Sequence, residues 1–302
     1  MRKIPAGVLP VLATPFKPNG DIDTAALARE IDFVIAQKAH GVVLGMVSEV
    51  LRLSSEERDA LTEATCQAAG GRVSVTASVG AESVHTATRY ARRAEAAGAD
   101  ALMAIPPIAT SCEDPELFRY YAAIIEAVDL PVVVQDASGY LGRPLSIDLQ
   151  ASLFTSYGDR AMFKPEAQPI GPRLSRLLDA TGGKARVFEG TGGLALVDSH
   201  KRGIAGTMPG PDIVWALVAL WDALEAGHQE LVEEIQGPLC AIVSIQNSLD
   251  SFVTVQKHLL HRQGVLPATC SRGPAGYHLD EVTQREVDRL FDRLARVVGV
   301  PV

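Results

Sequence analysis

Ala161-Met162-Phe163-Lys164-Pro165-Glu166-Ala167 is a short apolar run that ends on a lysine and is closed by a proline. Pro165 has no N–H to give a sheet ladder, so the run reads as a strand stopping at Lys164. Ahead of it, residues 146–157 read as a helix, and before that stands another all-apolar run, Pro131-Val132-Val133-Val134. Strand, helix, strand, with no polar alternation in either strand, means strands buried on both faces. That is the signature of a parallel sheet covered by helices.

The same unit repeats in both directions. Towards the N-terminus, Gly7 to Thr14, Gly41-Val42-Val43-Leu44, Val73 to Val79 and Ala101 to Ile105 are apolar runs. Between them lie helix starts with a stated chemistry. Asp23 can cap a helix whose apolar face is Leu27, Ile31, Val34 and Ile35. Ser54 and Glu57 form a capping box, Ser83 opens a helix that ends near Gly98, and Asp114-Pro115 places proline at a first helical position. Towards the C-terminus, Val187-Phe188 and then the stretch Gly203 to Gly210, whose strand ends at Gly206-Thr207-Met208, complete eight strand–helix units in about 210 residues, which matches a (β/α)8 TIM barrel better than an open sheet. From Pro211 the strand signal fades. Residues 213–226, 230–263 and 280–298 read as helices, so the chain divides into a barrel, 1–210, and a C-terminal helical extension, 211–302, with no long linker between them.

A lysine at a buried strand end is unusual, because its charge is costly to desolvate. Desolvation favours the uncharged amine, which can attack a carbonyl carbon and form a Schiff base. The alternative for Lys164 is a side chain that snorkels to solvent or pairs with Glu166.

Composition narrows the field. The 302 residues are 47% hydrophobic and 21% charged, as expected of a globular protein with a large core. The net charge of −8, with no strongly basic stretch, argues against nucleic acid as a partner. Cys66, Cys112, Cys240 and Cys270 form no CxxC pair and suit reduced thiols in a cytoplasm. His258 and His261 are three apart on a helical stretch, but no third ligand is spaced to join them, so no metal is expected. Residues 1–10 lack the apolar core of a signal peptide, and no run is long enough to span a membrane.

Several short motifs, taken in order, resemble the dihydrodipicolinate synthase / N-acetylneuraminate lyase family of Schiff-base aldolases and dehydratases. They are Thr14-Pro15-Phe16 with Gly20 and Asp23; Gly45 and Glu49 followed by Leu53-Ser54-Ser55-Glu56-Glu57-Arg58; Gly98-Ala99-Asp100-Ala101 with Pro106-Pro107; Pro131; and Lys164-x-Glu166-Ala167. The resemblance runs from about Gly7 into the C-terminal helices. It implies a (β/α)8 barrel with a helical extension, a homotetramer, and an imine between Lys164 and the carbonyl of a 2-oxo acid, with no cofactor. It also implies that the turn after the second strand holds the substrate carboxylate, partly through main-chain N–H groups such as those of Val47 and Ser48.

The departures from the family pattern are large. Where the family has two threonines after the first glycine of that turn, this chain has Met46 and Val47. The family's proton-relay tyrosine after the fifth strand is Gln135, and the asparagine beside it is Asp136. The arginine that dihydrodipicolinate synthases use for a second carboxylate is Tyr140, and the aromatic pair after Pro106-Pro107 is Ile108-Ala109. The hydroxyl relay is gone while the lysine remains.

The candidate catalytic residues are therefore Lys164, Glu166, Gln135 and Tyr140, and the candidate substrate contacts are Val47, Ser48, Asp136, Gly190 and Thr207. If the strand direction continues, Glu166 points the same way as Lys164 and either moves a proton or forms a structural ion pair. Gln135 cannot titrate but can hydrogen-bond a substrate hydroxyl. Asp136 is a general base or a turn cap. Tyr140 is a displaced hydroxyl or packing. Glu49 buttresses its loop. The Gly190 to Gly193 segment presents amides to an anion or is simply a tight turn. The expected activity is a lyase, dehydratase or aldolase, on a 2-oxo acid, with a 2-keto-3-deoxy sugar acid first among substrates. Dihydrodipicolinate synthase is the alternative within the family, and a non-catalytic 2-oxo acid-binding barrel the alternative from another class.

Overall fold

A computed structural model describes residues 4–139 and 143–300. Eight strands alternate with helices: β1 (Gly7–Val8), α1 (Thr24–Ala36), β2 (Gly41–Val43), α2 (Ser55–Ala69), β3 (Ser74–Ser78), α3 (Val84–Ala97), β4 (Ala101–Ala104), α4 (Asp114–Glu126), β5 (Val132–Gln135), α5 (Ile147–Tyr157), β6 (Ala161–Lys164), α6 (Ile170–Ala180), β7 (Phe188–Glu189), α7 (Leu196–His200), β8 (Gly206–Thr207) and α8 (Val214–Ala226). Strands β2 to β6 pair in order, and β7, β8 and β1 pair in a second run, all parallel. Single parallel bridges, Val11 to Val43 and Phe163 to Val187, join the two runs and close the barrel.

The sequence signals produce the elements they name. Asp23, Ser83 and Ser146 each accept a hydrogen bond from an amide in the first turn of the helix they cap, and Ser54 with Glu57 makes the expected capping box. Inside the barrel, Leu9, Val11, Val43, Ala101, Met103, Val133, Met162, Phe188 and Met208 pack together as one core. This layer fixes the site, because side chains alternate along a strand. Met162 points inward, so Lys164 two residues on does too, and Val133 does the same for Gln135. Gln135 and Lys164 are direct partners across β5 and β6.

Beyond the barrel come α9 (Gln229–Ile245), α10 (Leu249–Arg262) and α11 (Glu281–Val298). Two details differ from the sequence reading. The single helix expected over 230–263 is broken at 246–248, because Ser248 and Ser251 form a capping box that starts α10 afresh. Helix α6 was not read from the sequence, although Ile170, Leu174 and Leu177 make a buried face at helical spacing. Helix α8 packs against β1, so the division at residue 210 falls between β8 and the helix that follows it. No helix among the described residues is long and apolar enough to cross a membrane. His258 pairs with Asp288 at 2.8 Å, and His261 with the Leu266 carbonyl at 2.9 Å.

Helix α1 also carries a carboxyl into the core. Glu30 is fully buried; Oε1 accepts from the Ala13 N–H at 2.7 Å and Oε2 has no partner. Burial pushes this carboxyl up to about 8, and burial likewise raises Asp212 to about 6. Both folded values lie above the unfolded ones. The stability these groups contribute is thus fully present below the ordinary carboxylate range and is lost as pH rises, through about 6 for Asp212 and about 8 for Glu30. Glu30→Gln keeps the acceptor for Ala13 and removes the titration. Calorimetry should find the variant's Tm close to the parent's near pH 4.5, the group's ordinary value, and higher by on the order of 5 °C at alkaline pH. A difference independent of pH would show that Glu30 is not the source.

Candidate active site

The C-terminal ends of the strands surround a cavity of about 370 Å³, part of it open to solvent. Lys164, Glu166 and Gln135 supply its polar side chains. Val11, Met46, Val47, Met103, Met208 and Phe252 supply an apolar wall, and Gly45, Gly190, Gly192 and Gly210 bring backbone to its edge.

Lys164 Nζ lies 2.9 Å from Glu166 Oε1, and both side chains are buried. Gln135 Nε2 donates to the same Oε1 at 3.1 Å. Glu166 Oε2 has no partner. Burial raises the Glu166 carboxyl above its ordinary range, against the pull of the Lys164 ammonium and the Gln135 amide, with Asp136 adding to the rise. A carboxyl raised in this way sits closer to neutrality, where a group that must both take and give a proton works best. Chemically, such a pair can offer an amine as nucleophile and, one hydrogen bond away, a carboxyl able to carry protons.

Gly190 is required by this contact. A Cβ there would lie 2.8 Å from Lys164 Cε and 3.0 Å from Glu166 Oε1, displacing one or the other. The turn it belongs to is held by Glu189, a buried carboxylate at the end of β7 that the sequence reading passed over. Glu189 Oε2 accepts from Thr207 Oγ1 at 2.6 Å, and Oε1 accepts from the Thr191 N–H at 2.6 Å and from its hydroxyl. A carboxylate closing a two-residue strand between apolar neighbours was the available signal.

The structure therefore brings Lys164, Glu166, Gln135, Val47 and Gly190 around one cavity and turns others away from it. Ser48 is fully buried behind its turn, donating to the Leu12 carbonyl and accepting from the Gly45 N–H. Asp136 clasps its loop: Oδ1 accepts from the Ser138 N–H at 3.0 Å and Oδ2 from the Leu145 N–H at 3.1 Å. Thr207 is committed to Glu189. Tyr140 lies outside the described residues. Glu49 buttresses the loop after β2, paired with Lys257 of α10. Lys257 and Phe252 were not anticipated; Val253 and Leu260, buried apolar residues one helical turn either side of the lysine, were the clue to the former.

Residues 4–293 match the family model described as the dihydrodipicolinate synthetase family. Among curated relatives, the L-2-keto-3-deoxyarabonate dehydratase of Azospirillum brasilense is 27% identical over 276 residues, 89% of this chain and 88% of that protein. The 4-hydroxy-tetrahydrodipicolinate synthase of Methanospirillum hungatei is 27% identical over 300 residues, 96% of this chain and 98% of that protein. Among solved structures, a putative dihydrodipicolinate synthetase from Pseudomonas aeruginosa superposes with a TM-score of 0.89 at 24% identity, covering 96% of this chain and 100% of that one, a likeness of fold.

Proposed function

The chain belongs to the dihydrodipicolinate synthetase family of lyases, and from that premise we propose that it is a Schiff-base dehydratase acting on a 2-keto-3-deoxy sugar acid through an imine on Lys164. The observation that carries the reading is the pairing of Lys164 with Glu166 at 2.9 Å in a cavity whose other described walls carry no titratable side chain.

The chemistry follows from that pair. Glu166 takes the proton that Lys164 must lose to attack the C2 carbonyl, and returns it as the carbinolamine expels water. The iminium then acidifies C3. Glu166 removes a C3 proton to give the enamine, and the enamine electrons expel the C4 hydroxyl, which leaves as water with the proton from Glu166. Hydrolysis of the resulting unsaturated imine, after tautomerisation, frees Lys164 and a 2-oxo acid one water poorer. Each proton taken is given back, so one carboxyl suffices. Aldol cleavage needs a base for the C4 hydroxyl itself, and the residue at the usual tyrosine position, Gln135, does not titrate. Gln135 instead holds Glu166 and can contact a substrate hydroxyl. Val47 and Gly190 border the space for the substrate's carboxylate and chain. We propose further, on the strength of family membership, that the enzyme works in the cytoplasm as a homotetramer.

The L-2-keto-3-deoxyarabonate dehydratase relative favours this reading. The synthase relative favours condensation of pyruvate with aspartate semialdehyde instead. One assay separates them: a panel of 2-keto-3-deoxy acids, followed for water loss and for pyruvate, beside a coupled condensation assay. Dehydration of at least one panel member is expected, with condensation near background. A kcat/KM for condensation above about 10⁴ M⁻¹s⁻¹, ordinary for an enzyme, would give the synthase reading the place of the first.

A further inference from the structure

We infer that Lys257 and Gln256, adjacent residues of α10 in the C-terminal extension, are positioning residues for the substrate's carboxylate. They fix the main-chain amides of the turn Met46–Ser48. The inference rests on the reading of this site as one for a 2-oxo acid.

The turn has few groups with which to hold an anion. Met46 and Val47 have apolar side chains, and the Ser48 hydroxyl is spent on the Leu12 carbonyl and the Gly45 N–H. What remains is main chain. The amides of Met46 and Val47 stand at the start of a 3-10 turn, where a helix offers no internal acceptor. Such amides bind a carboxylate only if they point at it, so the orientation of the peptide planes decides the affinity.

Those planes are set from α10. The plane that carries the Val47 N–H also carries the Met46 carbonyl, and this carbonyl accepts from the Glu49 N–H at 2.9 Å. Glu49 makes that bond from a left-handed conformation, φ 57°, which is unfavourable for a residue other than glycine and persists only where its surroundings over-determine it. The surroundings here are ionic. Glu49 Oε1 pairs with Lys257 Nζ, and Oε2 accepts from the Arg272 N–H at 2.8 Å. Lys257 is fully buried, donates also to the Cys270 carbonyl at 2.7 Å, and lies 4.7 Å from the centre of the Phe16 ring. The next plane, Val47 to Ser48, is held directly, since Gln256 Nε2 donates to the Val47 carbonyl at 3.1 Å; its own Ser48 N–H donates to the Gly45 carbonyl at 3.0 Å and so fixes the plane that carries the Met46 N–H. Two neighbouring side chains of one helix thus clamp two successive peptide planes beside the reacting lysine, without either lying at the reacting atoms.

Borohydride trapping tests this with two ketones, pyruvate and hydroxyacetone, which differ in the carboxylate. Lys257→Met keeps the bulk and removes the charge. It should raise the pyruvate concentration for half-maximal trapping on Lys164 by about tenfold or more, the usual cost of a misplaced positioning group. Trapping of hydroxyacetone should be unchanged. Gln256→Met, which leaves the ion pair in place, should shift pyruvate in the same direction by a smaller factor and serves as the readout should Lys257→Met not fold. Equal loss for both ketones would mean a general structural role, and an unchanged pyruvate dependence would mean none; either overturns the inference. No pyruvate adduct in the unaltered protein would overturn the reading of the site itself, and the inference with it.

Discussion

Lys164→Ala should leave a folded barrel that forms no imine and turns over no substrate. The unaltered protein, treated with borohydride and pyruvate or a 2-oxo sugar acid, should gain one covalent adduct, and peptide mapping should place it on Lys164 alone. The variant should gain none, and its kcat/KM should fall on the order of 10⁴-fold or more, because the whole covalent route is lost rather than one interaction along it. Loss of the ammonium leaves Glu166 buried beside Gln135 with no charge partner. Burial already outweighs the lysine's pull on that carboxyl, so the variant's Glu166 should simply be protonated over a wider pH range. The fold should survive, since the lysine lies at the edge of a cavity while the barrel layer beneath it is Met162 and its neighbours. Adduct formation that persists in Lys164→Ala would remove the premise of the mechanism.

Glu166→Gln is the second large effect, and it separates catalysis from architecture. Glutamine keeps the volume and an oxygen for the Gln135 amide, but it cannot carry a proton. If Glu166 moves the C3 proton, kcat should fall roughly 10²–10⁴-fold with little change in KM, the range for a lost general acid–base group. The pH dependence gives the finer signature. Burial raises this carboxyl, so the unaltered enzyme's activity should climb with pH through a limb above the ordinary carboxylate range, as the base form appears. Glu166→Gln should lack that limb. A Glu166 that served only as an ion-pair partner for Lys164 would give the opposite pattern: lowered thermal stability, near-normal kcat and an unchanged pH profile.

The sequence alone determined the fold class and singled out the lysine proposed to react. Eight all-apolar runs at regular spacing admit few architectures, since each must be buried on both faces, and their helix caps are local chemistry readable within four residues. Lys164 was legible for the same reason: a charge at the end of an apolar run is costly, and Pro165 marks where the run ends. Glu166 followed from the two-residue period of a strand.

Tertiary structure decided which of the other candidates face the substrate, and the reason is that hydrogen bonds made across the barrel are invisible in one strand's sequence. Ser48 and Thr207 have the right chemistry in the right turns, yet Leu12 and Glu189, from other parts of the chain, claim their polar atoms, while Asp136 caps its own loop, one of the two roles its sequence allowed. Gly190 read equally well as anion nest or plain turn. Only the 2.8 Å between its would-be Cβ and the lysine stem shows that a side chain there would push Lys164 out of place. Lys257 meets Glu49 from 208 positions further along the chain, a separation over which no local pattern carries information. Burial is a property of the assembled chain, and so, therefore, is the state of each carboxyl it encloses: Glu166 beside its lysine, Glu30 neutral in the core.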